Sequence, residues 1–338
     1  MPSFSFLKLP FLAQIEVLKV MEEVDLLVFS FISKRSKTLA IQAKRTIEKF
    51  ELDLDGTLDL KYSLGQTFEI PMAKNLREAK KTEKLEYWKV NGQLVPMYRT
   101  IGTNCTYWCM GDPKQSKKKN YELMAQYSNH ILEVFRCQNF YVEISDWGPI
   151  RDLFIFQHTR QLKTFSYCDS ERPMRADSLK FILEELEVED LHLVPKAAAN
   201  FQWNGPLRMV SLNAYSAGWL TIEALMNSEC SYMELDEHCF TEEEINQFIK
   251  KWLDGGLPNL EYCCLMTDYN DEENGDVVLQ GIQTMPWSTD NHPARHPRVS
   301  SGLSTGVDIR RSDGVFATVE IDVEEDLWHH VTLAVWKN

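Results

Sequence analysis

Residues 228–265 read SECSYMELDEHCFTEEEINQFIKKWLDGGLPNLEYCCL and contain one complete structural period. Cys230, Met233 and Leu235 occupy the first, fourth and sixth places of an L-x-x-L-x-L strand, and Leu260, Cys263 and Leu265 repeat the arrangement. Between them Thr241 and Glu244 form a capping box, and Ile245, Phe248 and Trp252 recur at helical spacing before Gly255-Gly256. The order strand, loop, helix, strand, with one face of each strand buried, predicts a repeating αβ unit.

The same anchors recur upstream as Cys137/Phe140/Val142, Leu162/Phe165/Tyr167, Val188/Leu191/Leu193 and Leu207/Val210/Leu212. Unit starts at 137, 162, 188, 207, 230 and 260 give spacings of 25, 26, 19, 23 and 30. Most of these lie within the ~20–29 residues of a leucine-rich repeat. The ninth place, which favours Asn or Cys in such repeats, holds Ser145, Ser170, Lys196, Tyr215, His238 and Asp268, so the array is degenerate. Residues 178–183 and 219–225 have the composition of helices between the strands. The expectation is an α/β fold in which 137–338 form a degenerate leucine-rich-repeat-like αβ solenoid.

Working back toward the N-terminus, residues 51–136 are a β-rich connecting region. Leu52-Asp53-Leu54 and Leu58-Asp59-Leu60 alternate around Asp55-Gly56, and Tyr87–Val90 meets Leu94-Val95 around Asn91-Gly92. Asp-Gly and Asn-Gly suit the two positive-φ positions of a type I′ turn, so both are read as hairpins. Lys114, Lys117, Lys118 and Lys119 are read as a basic loop near Pro113, and Tyr121 to Arg136 as one amphipathic helix.

Residues 1–50 read as three short helices. Pro10 suits a first helical turn, and Phe11, Ile15 and Leu18 follow at helical spacing. Asp25 is the expected N-cap of a second helix through Leu26 and Phe29, and Leu39, Ala43 and Ile47 belong to a third. So small and apolar a head cannot bury its faces within itself. Either it packs on its own body or it docks on a partner.

The order Leu9-Pro10, Ile15, Leu18, Asp25-Leu26-Leu27-x-Phe29-Ser30, Ser33-Lys34-Arg35 resembles an F-box, and the density of Phe resembles its nematode branch. That resemblance implies docking onto the adaptor subunit of an SCF ubiquitin ligase and, through it, onto a cullin and a RING subunit. It implies adaptor contacts from Leu9, Pro10, Ile15, Leu18, Leu26 and Phe29, flanked by Ser33, Lys34 and Arg35. The run from Tyr232 through Asn246, Ile249, Lys250, Trp252 and Gly255 to Tyr262 is similar to the nematode F-box-associated domain. Asp308–Thr318 resembles the C-terminal β-hairpin that closes that domain, whose implied role is substrate recruitment.

The composition narrows the function classes. The 338 residues carry a formal charge of −14, with 36 Lys/Arg against 50 Asp/Glu, which argues against non-specific nucleic-acid binding. Residues 1–50 hold eight Lys/Arg and five Asp/Glu, a balance of +3, so the remainder carries −17. No apolar run approaches the ~20 residues of a membrane span. No secretory signal is visible, and eight cysteines are too sparse for a disulfide scaffold, so a cytoplasmic or nuclear setting is expected.

Catalytic motifs are missing: no P-loop, GxGxxG, GxSxG or HExxH occurs. Cys105-x3-Cys109, Cys263-Cys264 and His292-x3-His296 lack the paired spacing of a zinc site. His329-His330 fits strand alternation, and Asp268–Asp276 has Glu273 where a calcium loop needs Gly. Asn104-Cys105-Thr106 matches a glycosylation sequon, expected to be inert without a secretory signal. No catalytic residue, metal or cofactor is expected.

The leading expectation is a non-catalytic substrate receptor of an SCF ligase; the rival is a solenoid interaction module whose head packs on its own body. Third and fifth strand positions point away from the core, and the last units place Tyr232, Tyr262 and Glu234 there, with Asp236 beside them. These four are the expected target-binding residues, facing a basic segment of an unidentified protein target. Loops such as 284–306 are the competing location.

Overall fold

Pro10 leads into α1 (Phe11–Val20), and Glu22 precedes α2 (Glu23–Ile32). Asp25 therefore lies within the first turn of α2 rather than at its N-cap, where a carboxylate complements the positive end of the helix. Ser33 caps α3 (Lys34–Gln42) through a reciprocal box with Ser36. Lys44, at φ +52, turns the chain out of α3, so Ile47 lies in strand β1 (Thr46–Asp53) and not on the helix. Arg45 closes the head: its guanidinium donates to the Lys19 and Met21 carbonyls at 2.7 and 2.9 Å and pairs with the buried Glu23.

The structure, a computed structural model, describes residues 6–54, 57–62, 67–71, 84–90, 92–100, 106–109, 117–145, 149–169, 172–268, 277–297, 303–323 and 328–337. The chain divides into two compact units, 1–144 with 154–159 and 145–153 with 160–338. The first carries 21 Lys/Arg against 17 Asp/Glu, and the second 15 against 33, a net of −18.

In the first unit β1 pairs antiparallel with β2 (Thr57–Tyr62), Leu52 opposite Leu58, and β2 with β3 (Thr67–Pro71). The turn residues Asp55 and Gly56 lie outside the described residues. The second hairpin joins β4 (Lys84–Val90) to β5 (Gln93–Thr100) with Gly92 at φ +86, and β6 (Thr106–Cys109) completes a small sheet. Helix α4 runs Lys117–Val134, so Lys117, Lys118 and Lys119 form its first turn rather than a loop; Pro113 and Lys114 lie outside the described residues. Arg136 opens β7 (Arg136–Ile144), parallel to β1.

The head packs on this body through α2. Phe31 stacks on His130 of α4 at 3.9 Å and on Trp88 of β4 at 5.0 Å. Ser30 Oγ gives its proton to the Leu27 carbonyl at 2.6 Å, so His130 Nε2, 2.8 Å away, donates to it. Burial first, then the Lys37 ammonium, pushes the pKa of His130 down from 6.5 to about 3. The unfolded chain therefore takes up a proton below 6.5 that the folded one refuses until about 3. His130 is expected to contribute stability fully above pH 6.5, with loss as the pH falls toward 3. Urea midpoints measured from pH 7 to pH 4 should fall less steeply in His130→Gln than in the wild type; equal slopes would contradict this account.

In the second unit β8 (Gln161–Tyr167), β9 (Glu187–Leu193), β10 (Ser211–Ala214), β11 (Tyr232–Leu235) and β12 (Tyr262–Asp268) lie parallel in sequence order. The connections carry α5 (Ala176–Glu185), α6 (Ile222–Met226) and α7 (Glu242–Leu253). Crossovers between parallel neighbours are right-handed, so these helices share one face of the sheet. Four antiparallel strands extend it: β13 (Thr284–Pro286), β14 (Val307–Arg310), β15 (Phe316–Val323) and β16 (Trp328–Trp336), with β16 against β12. The 308–318 segment is a hairpin with Gly314 at φ +95. The result is a mixed α/β fold with a mostly parallel sheet at its centre.

Strand pairing corrects one repeat. Leu191 faces Leu212 and Leu193 faces Ala214, so the fourth unit is anchored by Met209, Leu212 and Ala214, not by Leu207, Val210 and Leu212. Met209 is buried, and Val210 is 47% exposed. Steps from β8 to β12 become 26, 21, 21 and 30, more regular than the sequence spacing implied. The third and fifth places of that unit are Ser211 and Asn213, not Met209 and Ser211.

Candidate protein-interaction surfaces

Two surfaces account for the residues singled out in the sequence. On the head, Ile15, Leu18 and Leu26, expected as adaptor contacts, are buried within the first unit. Pro10, Ser33, Lys34 and Arg35 are exposed, while Leu9 and Phe29 are half-buried; Phe29 meets Phe6 edge-on at 5.5 Å. The sequence reading passed over the residues that are open. Leu7, Phe11, Leu12, Val17, Val20, Ile32 and Ile41 are seven of the eleven large hydrophobics exposed among the described residues, with Leu12 at 75% and Val20 at 83%. Single exposed apolar side chains are ordinary, but this density within so short a segment marks an interaction surface.

The second surface is the sheet face opposite α5, α6 and α7. Anchors on the helix side are buried, whereas Asp190, His192, Ser211, Asn213, Tyr232, Glu234 and Asp236 are half-buried on the other. Tyr232 donates to Glu234, which also accepts from Asn213 Nδ2 at 2.8 Å. Burial first, then the Glu234 carboxylate, pushes the Asp236 carboxyl up to about 6. Its Oδ1 is buried without a hydrogen-bond partner among the described residues.

Tyr262 does not belong to the open face. It is 7% exposed and forms a core with Cys264, Leu303, Ala334 and Trp336, against which Tyr232 and Phe316 pack. The Tyr232 and Tyr262 rings stack at 4.9 Å, and burial pushes the Tyr262 phenol up. The pairing of β16 with β12 and the packing of Leu303 close the sheet at this end. Of the 284–306 loop, the competing location for binding, the described residues 284–297 are held to the unit. His292 Nε2 meets the buried Asp308 at 3.0 Å, and His296 Nε2 donates to the Val335 carbonyl at 3.1 Å. The histidines therefore serve packing, and no group of three or more potential metal ligands occurs among the described residues.

Burial raises the thiols of Cys230, Cys263 and Cys264, opposing the thiolate form that reaction requires. Cys105, Asn104 and residues 269–276, with Glu273, lie outside the described residues. Asn246 gained a role that the sequence did not show: its side-chain amide donates to the Val278 and Gln280 carbonyls at 2.8 and 3.0 Å, holding the next segment against α7.

Residues 200–265, which span β10, α6, β11, α7 and the start of β12, match the family model described as F-box associated. The chain is similar over 351 aligned residues to the uncharacterized Caenorhabditis elegans protein F59B2.9, at 23% identity, covering 99% of this chain and 79% of that one. It is similar to F59B2.8 of the same nematode at 23% identity, covering 93% and 74% of the two chains. Over an alignment 153 positions long, covering 37% of this chain and 12% of the relative, it is 26% identical to the C. elegans E3 ubiquitin-protein ligase hecw-1. No solved structure matches the chain significantly.

Proposed function

We propose that this chain is a non-catalytic substrate-recognition subunit of an SCF-type cullin–RING ubiquitin ligase, working in the cytoplasm or nucleus. The match of residues 200–265 to the F-box-associated family carries the reading. The uncovered apolar surface of the N-terminal helices supports it, since a docking head needs such a surface. In this reading the F-box-like head engages the adaptor, and the solenoid-like second unit holds a protein target. Ubiquitin transfer to that target then gains from effective concentration, with no chemical group supplied by this chain.

The packing of Phe31 and Ser30 on His130 favours a second reading, an interaction module outside any ligase. One experiment separates the two. Tagged full-length protein purified from nematode lysate should carry the adaptor and cullin, as identified by mass spectrometry. Phe11→Asp with Leu12→Asp alters only exposed side chains and should weaken adaptor capture by about thirtyfold or more, the effect of losing a central anchor worth ~2 kcal/mol. Absence of the adaptor from the wild-type sample, or undiminished capture by the double variant, would sink the ligase reading.

A further inference from the structure

At the C-terminal ends of β9, β10 and β11 the second unit holds a cavity of about 300 Å³. Ala198, Phe201 and Trp219 are among its apolar walls, and Lys196, Ser216 and Glu237 are among its polar ones. The loops that leave the C-terminal ends of these adjacent parallel strands lie side by side, so their side chains meet at this edge of the sheet. Two of the four non-glycine residues with positive φ among the described residues, Asn200 at +66 and Glu237 at +49, line this cavity. A glutamate rarely adopts that backbone conformation, and such positions gather at sites that bind.

Glu237 is the organised group of the site. Its Oε2 accepts from Ser216 Oγ at 3.0 Å and from Lys196 Nζ at 2.9 Å. The two side chains of the ion pair differ in burial, Lys196 being 70% exposed and Glu237 38%. An ion pair whose lysine is this exposed contributes little, so another cation can take the place of that lysine at small cost. The carboxylate stays in place, oriented by Ser216 and by its own backbone. Asp236 and Glu234 lie on the same strand end, in a unit of net charge −18.

We propose that this cavity takes an arginine or lysine side chain of the protein target, whose cationic head displaces Lys196 from Glu237 while its aliphatic stem lies along Phe201 and Trp219. Arginine fits better than lysine, because a planar guanidinium can bond both carboxylate oxygens and stack on an aromatic face. The negative field of the unit would draw such a segment in. The inference rests on the reading of the second unit as the recruiting part and adds the chemistry it recognises.

The test uses the full-length protein and fluorescein-labelled Gly-Ser-Xaa-Ser-Gly peptides at physiological ionic strength, with binding read by anisotropy. Peptides with Xaa = Arg should bind best and Lys next, ahead of Leu and Glu. Glu237→Gln should weaken the Arg peptide by about tenfold, the effect of one charge-assisted hydrogen bond. Lys196→Ala should strengthen it, because the competing cation is gone. A structural role cannot give opposite signs in the two variants. Preference for the Glu peptide, no preference at all, or a loss in both variants overturns the proposal. Neither variant touches the head, so failure here leaves adaptor capture intact, and failure of adaptor capture leaves the peptide preference intact.

Discussion

Asp308→Ala is expected to destabilise the second unit by about 3–5 kcal/mol, because several buried polar groups lose their partner at ~1–3 kcal/mol each. Asp308 is fully buried, and its oxygens accept from Thr318 Oγ1 at 2.8 Å, Asn291 Nδ2 at 3.0 Å and the Ser288 amide at 3.2 Å. His292 completes the set, with Nε2 at 3.0 Å from the carboxylate and Nδ1 at 3.1 Å from the Pro293 carbonyl. Both ring nitrogens thus lie within hydrogen-bonding distance of an oxygen, which fixes the orientation of the ring. Its face lies on the Trp336 ring at 3.9 Å, nearly parallel, and Trp336 Nε1 donates to Thr318 Oγ1 at 2.9 Å. Alanine would deprive four buried or half-buried partners of the carboxylate they share. Urea unfolding of the full chain should show the loss as a lowered midpoint, while Asp308→Asn, which keeps the shape, should lose less. A loss below ~1 kcal/mol for the alanine variant would mean that the network is not fully formed.

Trp252→Ala should cost a similar ~3–5 kcal/mol, as for other buried aromatic residues cut back to alanine. Trp252 has no exposed surface, lies on the apolar stripe of α7 with Ile245 and Phe248, and is covered by the Arg311 guanidinium at 5.2 Å. Its indole Nε1 is buried with no hydrogen-bond partner among the described residues. Trp252→Phe therefore removes an unsatisfied donor along with part of the ring, and the two effects oppose each other. The phenylalanine variant is expected to lose under half of what the alanine variant loses in the same urea assay. Equal losses would show that Nε1 has a partner.

Locally encoded features were legible. The Thr241 box with Glu244, the break at Gly255 and the hairpins on either side of Asp55-Gly56 and Asn91-Gly92 are set by groups within a few residues of one another. The four repeat strands starting at 162, 188, 230 and 260 were aligned correctly for the same reason, since their anchors alternate with polar residues. The one starting at 207 failed because Leu207 and Val210 repeat the apolar spacing two residues too early, and β10 is only four residues long. Nothing local separates Val210 from Met209; the hydrogen-bonded partners on β9 do.

The candidate sites divide in the same way. Composition already separated a basic head from an acidic body, and alternation already put Tyr232, Glu234 and Asp236 on the face away from the anchors. Which apolar residues of the head remain uncovered was beyond its reach, because Ile15 and Phe11 look alike until the folded unit buries the first and leaves the second open. The burial of Tyr262 depends on β16, whose residues lie about seventy positions downstream, and the cavity exists only where Lys196, Ser216 and Glu237 converge from three successive loops. Hairpin turns, caps and strand periodicity are decided by short-range sterics and hydrogen bonding, so residue order alone determines them. Exposure, register across a short strand and the meeting of distant charges are decided by which surfaces exclude water together, and only the folded chain settles that.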